Sequence, residues 1–283
     1  MEASRVYRGA RRRFNRGKPI DSFPYLSGDS YFYSCQFYFE SCSLRKVPTR
    51  FGRPQKENSI FVKVSDLNLF ALFLGKVPEE KFSEFSLVLH NGDDTIKSDL
   101  LDLFASKFKR IFAVNLLKTS GKFSPVPIGL ENWSYFTNGI PKDFNILISA
   151  GLPGFHERGI SILQAFSVHT NRKEREACQA IASVMGGEKL ESATPLQYRQ
   201  ALANSRYVLS PAGNGLDCHR TWEAMYLGAV PIVKKDHWPF ASHRLPVLVI
   251  NEWEELLHLD FPSLSIPQNS SWSTDFWTDF FKE

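Results

Sequence analysis

Residues 207–233 (YVLSPAGNGLDCHRTWEAMYLGAVPIV) constrain the fold most, because they hold the signals for a strand, a loop, a helix and a second strand in one continuous run. Residues 207–209 favour a short strand. The loop at 210–217 follows, and it is rich in residues that permit tight turns and positive φ angles: Pro211, Gly213, Asn214 and Gly215. The sequence therefore predicts a sharp change of direction at the carboxyl end of this strand.

The helix predicted after this loop runs over residues 218–227. Asp217 is a suitable N-cap, and Gly228 stands where helices often end in a left-handed residue. Residues 230–233 then predict a buried strand. A helix between two strands is the crossover connection of a parallel sheet, so this stretch predicts an α/β protein.

A loop that leads into a helix N-terminus can bind an anion, because free N–H groups and the positive end of the helix dipole face the same point. The first turns of the predicted helix also carry His219, Arg220 and Glu223. A guanidinium suits a phosphate, and a carboxylate suits sugar hydroxyl groups. In the structural alternative, Arg220 and Glu223 form a surface pair one turn apart and Asp217 is only a cap.

The rest of the chain also alternates strand and helix signals. Strands are predicted at 31–39, 60–64, 85–90, 111–116, 125–130, 144–150, 160–168 and 245–250. Helices are predicted at 65–74, 95–108, 171–185, 196–204 and 253–257. This alternation predicts parallel α/β sheets in two domains. The expected divisions are a basic tail at 1–20, a first domain at 21–150 and a second at 151–283.

Composition excludes some classes of protein. No apolar run approaches the roughly 20 residues of a membrane-spanning helix, and the start lacks the apolar core of a signal peptide. The four cysteines form no CxxC pair, which favours free thiols in a reducing cytosol: Cys35, Cys42, Cys178 and Cys218.

The positive charge of the chain is concentrated at its start. The formal net charge is +4, and the first 20 residues carry seven Arg or Lys and one Glu, so the remainder carries −2. A solvated arm is the plain interpretation, and contact with an anionic membrane surface or an acidic polymer is the sharper one. Nucleic-acid binding is not expected, because no recognition motif follows and the body is slightly acidic.

In open α/β sheets, ligands bind at the carboxyl ends of strands. Polar residues stand there at 210–220 and at 90–94, directly after the predicted strand 85–90. Neither stretch holds the dinucleotide fingerprint GxGxxG or the phosphate loop GxxxxGK[ST]. These absences disfavour a dehydrogenase or a phosphate-loop kinase.

The stretch SPAGNGLDCHRTWEAMYLGAVPIV resembles the nucleotide-sugar motif of exostosin-like glycosyltransferases. The shared pattern is a Pro-containing turn, a glycine loop, an Arg, and then E-A-x-x-x-G-x-x-P-I-V. LVLHNGDD, PIGLEN at 127–132 and FSVHTNRKER at 166–175 are similar to the same group, and together the resemblance spans residues 60–255. It implies a GT-B-like fold, in which two Rossmann-type parallel-sheet domains face a central cleft.

The resemblance also implies roles for single residues. Arg220 would contact the donor diphosphate and Glu223 the donor ribose, while the loop at 210–215 approaches the phosphates and the sugar. Asn171, Arg172 and Arg175 would be secondary phosphate contacts. The complete predicted donor site is Ser210, Gly213, Asn214, Gly215, Asp217, His219, Arg220, Glu223, Asn171, Arg172 and Arg175.

Transfer of a sugar needs stabilisation of the leaving diphosphate and, for inversion, a base. Arg220 and the helix dipole can stabilise the charge without a metal, so no metal site and no cofactor besides the donor are expected. The candidate bases are Asp93, Asp94 and Glu131. For the two aspartates, a plain turn and helix cap is the structural alternative, and His90 is either a sugar contact or a structural histidine.

The predicted function is therefore transfer of a sugar from a nucleotide sugar, a UDP-sugar, to a glycan or glycoconjugate acceptor. Two alternatives stay open: a non-catalytic module that binds the same ligands, and a fucosyltransferase-like enzyme that uses GDP-fucose. Eukaryotic relatives usually carry a membrane anchor and a disulfide-bearing luminal domain, and this sequence has neither signal. The expected location is the cytoplasm of a bacterial or viral form, with peripheral membrane contact through the tail as an option.

Overall fold

The computed structural model describes residues 19–50, 52–117, 121–132, 138–241, 243–261, 264 and 271–282. These residues form two compact units. Unit 1 holds the described residues up to Gly139 and those from Ser273 onward, and unit 2 is Ile140–Trp272. The division falls before the boundary predicted at residue 150. Most of the predicted basic tail, residues 1–18, lies outside the described residues.

Unit 1 is built on a six-stranded sheet in the order β2-β1-β3-β4-β5-β6. The strands are β1 (Cys35–Glu40), β2 (Ser43–Lys46), β3 (Lys56–Lys63), β4 (Ser86–His90), β5 (Arg110–Ala113) and β6 (Phe123–Pro125). The helices before β6 are α1 (Gly28–Ser34), α2 (Leu67–Leu74) and α3 (Ser98–Lys107), with short 3-10 helices at Val64–Asp66 and Glu79–Phe82. β1 and β2 pair antiparallel, and the other neighbouring strands pair parallel.

Unit 2 is built on a five-stranded parallel sheet in the order β11-β10-β9-β7-β8. The strands are β7 (Ile160–Gln164), β8 (Glu188–Lys189), β9 (Ser205–Leu209), β10 (Val230–Lys234) and β11 (Leu248–Ile250). The helices are α4 (Pro141–Ser149), α5 (Arg172–Val184), α6 (Pro195–Ala203) and α7 (His219–Tyr226). The 3-10 helices are Phe155–Glu157, Val168–Thr170, Lys235–His237 and Trp253–His258. The final helix, α8 (Trp272–Phe281), belongs to unit 1 from Ser273 on.

Two parallel-dominated sheets agree with the α/β class predicted from the sequence and are compatible with Rossmann-like domains. The central strand β4 is buried at every position, as the continuous apolar run before residue 90 indicates. In unit 2 the alternate residues Tyr207 and Leu209 of β9 pack with Cys178 and Ala182 of α5 in one core. Removing such side chains from water supplies most of the stability of each unit.

The strand predicted at 31–39 is wrong in its first half. Residues up to Ser34 form α1, and β1 begins only at Cys35. Ser27 starts the helix through a capping box, because its Oγ accepts from Ser30 N while the Ser30 hydroxyl accepts from Ser27 N. Local capping and burial on both sides of the helix therefore override the strand preference of its aromatic residues.

The strand predicted at 144–150 is also wrong, since these residues lie in α4. Pro141 stands in the first turn of α4, where its missing N–H costs nothing. Phe144 is buried, whereas Ile146 and Ile148 are 55% and 40% exposed. A short apolar run has the same appearance in a buried strand and in a helix, so periodicity alone could not distinguish them.

The helix α8, at Trp272–Phe281, is not among the helices predicted from the sequence. In α8, Phe276, Trp277 and Phe280 are buried, and Trp277 Nε1 donates a 2.8 Å hydrogen bond to the carbonyl of Pro24. Their spacing of three and four residues places them on one helical face. This face is part of the core of unit 1, which also holds Tyr31 and Phe112.

No described helix is long and apolar enough to cross a membrane. All four cysteines are free thiols, as their spacing predicts; Cys35 and Cys178 are buried. Burial raises the pKa of the Cys35 thiol to about 12, so this thiol is unreactive at neutral pH.

Candidate functional site

The candidate site of unit 2 lies where the order of the strands reverses. From β7 the chain passes through α5 to β8 at one edge, and then returns through α6 to β9 on the other side of β7. The loops that leave β7 and β9 therefore diverge at the carboxyl ends of adjacent strands. Such a switch point is where open α/β sheets bind ligands, and the glycine loop leads from it into α7.

Arg220 is the central cation of this site. Its side chain is only 8% exposed, and its Nε donates a 2.9 Å hydrogen bond to the carbonyl of Ala165, which follows β7. Its guanidinium lies 5.3 Å from the ring centre of Phe166. Nη1 is buried and has no hydrogen-bond partner in the described residues. A buried N–H left unpaired in this way costs about 1–3 kcal/mol, so the site lacks an acceptor here.

Arg175 is a second buried guanidinium in the same place. Its Nε donates to the carbonyl of Ala212 at 2.9 Å and its Nη1 to that of Ser167 at 2.6 Å, so it joins the two diverging loops. It also faces the ring of Phe166, at 5.8 Å. Burial lowers the pKa of Arg175, and the charge of Arg220 lowers it further. Two cations thus share one aromatic ring, and neither has an ion pair among the described side chains.

The glycine loop is shaped around Arg175. A Cβ on Gly213 would lie 2.7 Å from Arg175 Nη2, so the end of the arginine side chain would have to move. Gly213 N donates to the carbonyl of Gly215 at 3.1 Å, which closes the loop, and Asn214 at its tip is exposed. The Ser210 hydroxyl is buried and lies 2.7 Å from that of Thr221, so it ties the end of β9 to the first turn of α7.

Asp217 is held by the core. Trp222 Nε1 lies 2.8 Å from Oδ1 and 2.9 Å from Oδ2 of this carboxylate, and Oδ1 also accepts from Cys218 N. Trp222 is completely buried. The helix begins at His219, which is half-buried, with Cys218 as its N-cap residue. The prediction of Asp217 as the N-cap is therefore wrong, and its carboxylate instead accepts from Trp222 and from the backbone of Cys218.

Glu223 is buried, so the surface pair with Arg220 that formed the structural alternative is wrong. Its Oε2 accepts a 2.7 Å hydrogen bond from the Tyr198 hydroxyl of α6. Burial raises the pKa of Glu223, while the bond from Tyr198 and the charges of His219 and Arg220 oppose the rise. A carboxyl group held in this balance can accept or donate hydrogen bonds to a hydroxyl-bearing ligand.

The remaining predicted contacts stand at the start of α5. Asn171 is its N-cap residue and makes no side-chain cap bond, and its carbonyl accepts from Arg175 N. The Arg172 side chain is exposed and pairs with Glu176 at 3.3 Å. Of the two arginines predicted here, the structure brings Arg175 together with Arg220 and turns Arg172 to the solvent.

The sequence reasoning missed three neighbours of this site: Tyr198, Phe166 and Gln164. Gln164, the last residue of β7, is buried, and its Nε2 has no hydrogen-bond partner among the described residues. A long polar side chain directly after Ile162 and Leu163, at the end of the strand, is a usable signal. Tyr198 carries no such signal, because its role depends on the packing of α6 against α7.

The candidate bases lie in unit 1, after β4 and near residue 130. Asp93 and Asp94 are exposed, and Asn115 Nδ2 holds the carbonyl of Asp93 at 3.0 Å. The interpretation as a helix cap is wrong, since α3 begins at Ser98 with Lys97 as its N-cap residue. Glu131 is half-buried. The described residues contain no cluster of three or more His, Cys, Asp or Glu able to hold a metal ion.

His90 is a structural histidine. Its Nε2 lies 2.9 Å from the carbonyl of Pro127, its Nδ1 accepts from Asn91 N at 2.8 Å, and its ring packs on Tyr31. Both ring nitrogens are occupied, so His90 is not placed to accept a proton from a substrate.

Comparison with known proteins relates unit 2 to a family of transferases. Residues 161–260 match the model of the RXYLT1 C-terminal domain, which is an exostosin-related xylosyltransferase family. The matched range includes Arg175, Tyr198, Arg220 and Glu223. No curated protein matches the chain. Because the family match covers less than half of the chain, it shows a similarity of unit 2 to a glycosyltransferase domain.

Proposed function

We propose that this protein is a glycosyltransferase that moves a sugar from a nucleotide sugar, a UDP-sugar, to a glycan acceptor. The observation that carries the proposal is the buried Nη1 of Arg220, which lies at the reversal of strand order in unit 2 and has no partner in the part of the chain that the structure describes. A donor diphosphate supplies the acceptor oxygen that this N–H lacks. The match to the RXYLT1 C-terminal domain supports the same class of ligand and reaction.

The charge of the site favours a diphosphate over a single carboxylate. Arg175 and Arg220 form no ion pair with the described carboxylates, and the N-terminus of α7 adds its partial positive charge. The buried amide Nε2 of Gln164 is one more donor that has no partner among the described residues. Fixed donors in a site with little water stabilise the charge that develops on a leaving diphosphate, and they need no rearrangement during the reaction.

Glu223 is proposed to bind the donor ribose. Tyr198 occupies Oε2, which leaves Oε1 for a hydroxyl of the ligand. Because burial raises the pKa of Glu223, the carboxylate, which is the stronger acceptor for ribose hydroxyl groups, forms only above that raised pKa. The donor affinity is then expected to increase with pH through that range.

The proposal extends to the arrangement of the fold, the stereochemistry of the reaction and the identity of the base. The two units would form a GT-B fold, with the donor on unit 2 and the acceptor on unit 1. The reaction would invert the anomeric carbon without a metal, and Asp93, Asp94 or Glu131 would be the base. The exposure of the two aspartates favours Glu131 among these, because its side chain is partly shielded from water.

The test is nucleotide binding by the full chain, followed by turnover. UDP, GDP and CMP are compared by calorimetry, and hydrolysis of the matching nucleotide sugar is then measured. UDP is expected to bind, and a ligand at 100 times its Kd adds about 2.7 kcal/mol of stability. Arg220→Met, which keeps an aliphatic stem, is expected to lose at least about tenfold in affinity.

The control is Arg45→Met, which removes an exposed arginine paired with Glu40 in unit 1. It is expected to bind UDP as the wild type does. If none of the three nucleotides binds, or if Arg220→Met binds within twofold of the wild type, the proposal is wrong. Preferred binding of GDP would instead favour a fucosyltransferase-like enzyme.

A non-catalytic module that binds nucleotide sugars is the second candidate. The exposure of Asp93 and Asp94 favours it, because a general base is normally partly shielded from water. Nucleotide binding that depends on Arg220, without hydrolysis or transfer to any glycan tested, would support this candidate over the enzyme.

A further inference from the structure

A polar groove of about 660 Å³ lies at the amino end of the unit 1 sheet. Its walls come from the first residues of β3, β4, β5 and β6 and from the end of α8. It therefore lies at the opposite end of the strands from residues 90–94, which follow the carboxyl end of β4. None of the predicted donor or catalytic residues lines it.

The groove carries a marked excess of positive charge. Five cationic side chains line it: Lys56, Lys109, Arg110, Lys122 and Lys282. Among the described residues that line it, two are acidic, Glu57 and Glu84, which gives these lining residues a net charge of +3. Glu84 pairs with Lys109 at 3.6 Å, but both side chains are more than half exposed, so this pair is weak.

Several of these cations are held by neutral acceptors. Lys122 Nζ donates to the carbonyl of Ala105 at 2.8 Å, near the end of α3. Arg110 donates from Nε to the Ser124 hydroxyl at 3.3 Å and from Nη1 to the carbonyl of Asp279 at 3.4 Å. Its guanidinium also lies 4.7 Å from the ring centre of Phe112. These contacts leave the charges of Lys122 and Arg110 in place. Lys282 pairs with the Asp279 carboxylate at 2.7 Å, and both side chains are largely exposed, so this pair is weak.

The cations also have a structural use, because α3 and α8 both end at this groove. Each helix end contributes about half a negative charge, and a cation near it is stabilising. Two such ends offset roughly one unit of the positive charge and the Asp279 carboxylate a second, so a net positive charge remains. Capping explains single contacts such as that of Lys122, but it does not explain why five cations converge on one concave surface.

We propose that this groove binds a small ligand that carries two or more phosphate or sulfate groups. Tetrahedral oxyanions accept several hydrogen bonds at once, and cations spread around a concave wall can contact more than one of them. The volume is that of a site for a small molecule. The proposal does not depend on the proposed function, because it rests on unit 1 residues outside the candidate donor and base positions.

The test is calorimetry of the full chain at about 50 mM salt, where exposed charges are weakly screened. The probes are inorganic tripolyphosphate, sucrose octasulfate and neutral sucrose. The double variant Lys109→Gln with Lys122→Gln is expected to bind the two anions at least about tenfold more weakly. The control pair, Lys46→Gln with Lys76→Gln, removes the same charge outside the groove and is expected to bind within twofold of the wild type.

Tripolyphosphate could also bind at Arg220. The titration is therefore repeated with Arg220→Met, which is expected to keep the binding that depends on the groove. If the double variant does not fold, Lys109→Gln alone carries the test, because that side chain is 55% exposed. A response to one anion and not the other supports the proposal and identifies phosphate or sulfate as the preferred group. The proposal is overturned if neither anion binds below about 1 mM, if sucrose binds equally well, if the groove variant binds like the control pair, or if Arg220→Met alone abolishes binding.

Discussion

The Tyr198 hydroxyl donates a 2.7 Å hydrogen bond to Oε2 of Glu223, which connects α6 to the helix that follows the glycine loop. Glu223 is 4% exposed, so its carboxyl group depends on this partner for much of its solvation. Burial and the neighbouring Glu223 raise the pKa of Tyr198, which keeps the hydroxyl a donor at all ordinary pH values. The pair therefore fixes the orientation of Glu223 before any ligand arrives.

Removal of the donor tests this relationship. Tyr198→Phe takes away the hydrogen bond that opposes the rise in the pKa of Glu223, so this pKa is expected to increase further. UDP affinity at neutral pH is expected to fall about fivefold, the equivalent of one hydrogen bond. Calorimetry from pH 5 to 8 should show the midpoint of binding moving to higher pH. Tyr38→Phe in unit 1 is the control, and an unmoved midpoint in Tyr198→Phe would contradict the prediction.

Burial of Glu223 also predicts a pH-dependent loss of stability. Its pKa in the folded state lies above the ordinary value of 4.5, so the folded state binds the proton more tightly. Stability is therefore expected to fall as pH rises from 4.5 through the raised pKa, by about 1.4 kcal/mol for each unit of the rise.

Glu223→Gln removes this titration and keeps an oxygen for Tyr198. Its melting temperature is expected to exceed that of the wild type at pH 7.5 and to approach it below pH 4.5, measured by thermal unfolding. Glu176→Gln, on the exposed face of α5, should differ little from the wild type at either pH. Equal melting temperatures of Glu223→Gln and wild type at pH 7.5 would show that the carboxylate is not destabilising.

Gly213 is predicted to be essential for the position of Arg175. In Gly213→Ala the new Cβ would lie 2.7 Å from Nη2 of that arginine, which must move away from the carbonyls of Ser167 and Ala212. The free energy of unfolding, measured in urea, is expected to fall by about 1–3 kcal/mol, and UDP is expected to bind more weakly. Gly75→Ala is the matched control, because its nearest neighbours would be 3.6 Å away. Wild-type stability and affinity in Gly213→Ala would refute the close approach.

Trp222 is predicted to stabilise the site through its hydrogen bond to Asp217. Trp222→Phe keeps an aromatic ring but removes the N–H that lies 2.8 Å from Asp217 Oδ1. The free energy of unfolding is expected to fall by about 2–4 kcal/mol, because a buried carboxylate loses a hydrogen-bond donor and the smaller ring leaves a void. Urea unfolding measures it, and a change below about 0.5 kcal/mol would place Asp217 in water instead.

Sugar transfer is predicted to survive removal of divalent metals. The two guanidinium groups around Phe166 and the N-terminus of α7 supply the positive charge that a leaving diphosphate needs. Hydrolysis of the nucleotide sugar in excess EDTA should match that in untreated protein. Loss of the activity, with recovery on addition of magnesium or manganese, would show that a metal takes part.

Much of the fold could be predicted because each signal was local. The β9–loop–α7–β10 unit is present within a few residues of its predicted bounds, and Gly228 ends the helix with a φ of +73°. The errors arose where tertiary contacts decide: α4 has the same apolar run as a strand, and α8 is held by aromatic contacts within unit 1. The basic groove of unit 1 was not predicted, since its five cations come from four separate segments of the chain.

The sequence by itself determined that residues 207–233 form a strand, a glycine loop and a helix with Arg220 in its first turn, because turn, cap and periodicity signals act over a few residues. Only the tertiary structure decided which side chains face this loop. It placed Arg175 beside Arg220 on Phe166 and Tyr198 on Glu223, and it turned Arg172 to the solvent. Burial and the convergence of distant loops set the charge and the hydrogen bonding of a site, and neither is encoded in the spacing of residues along one segment.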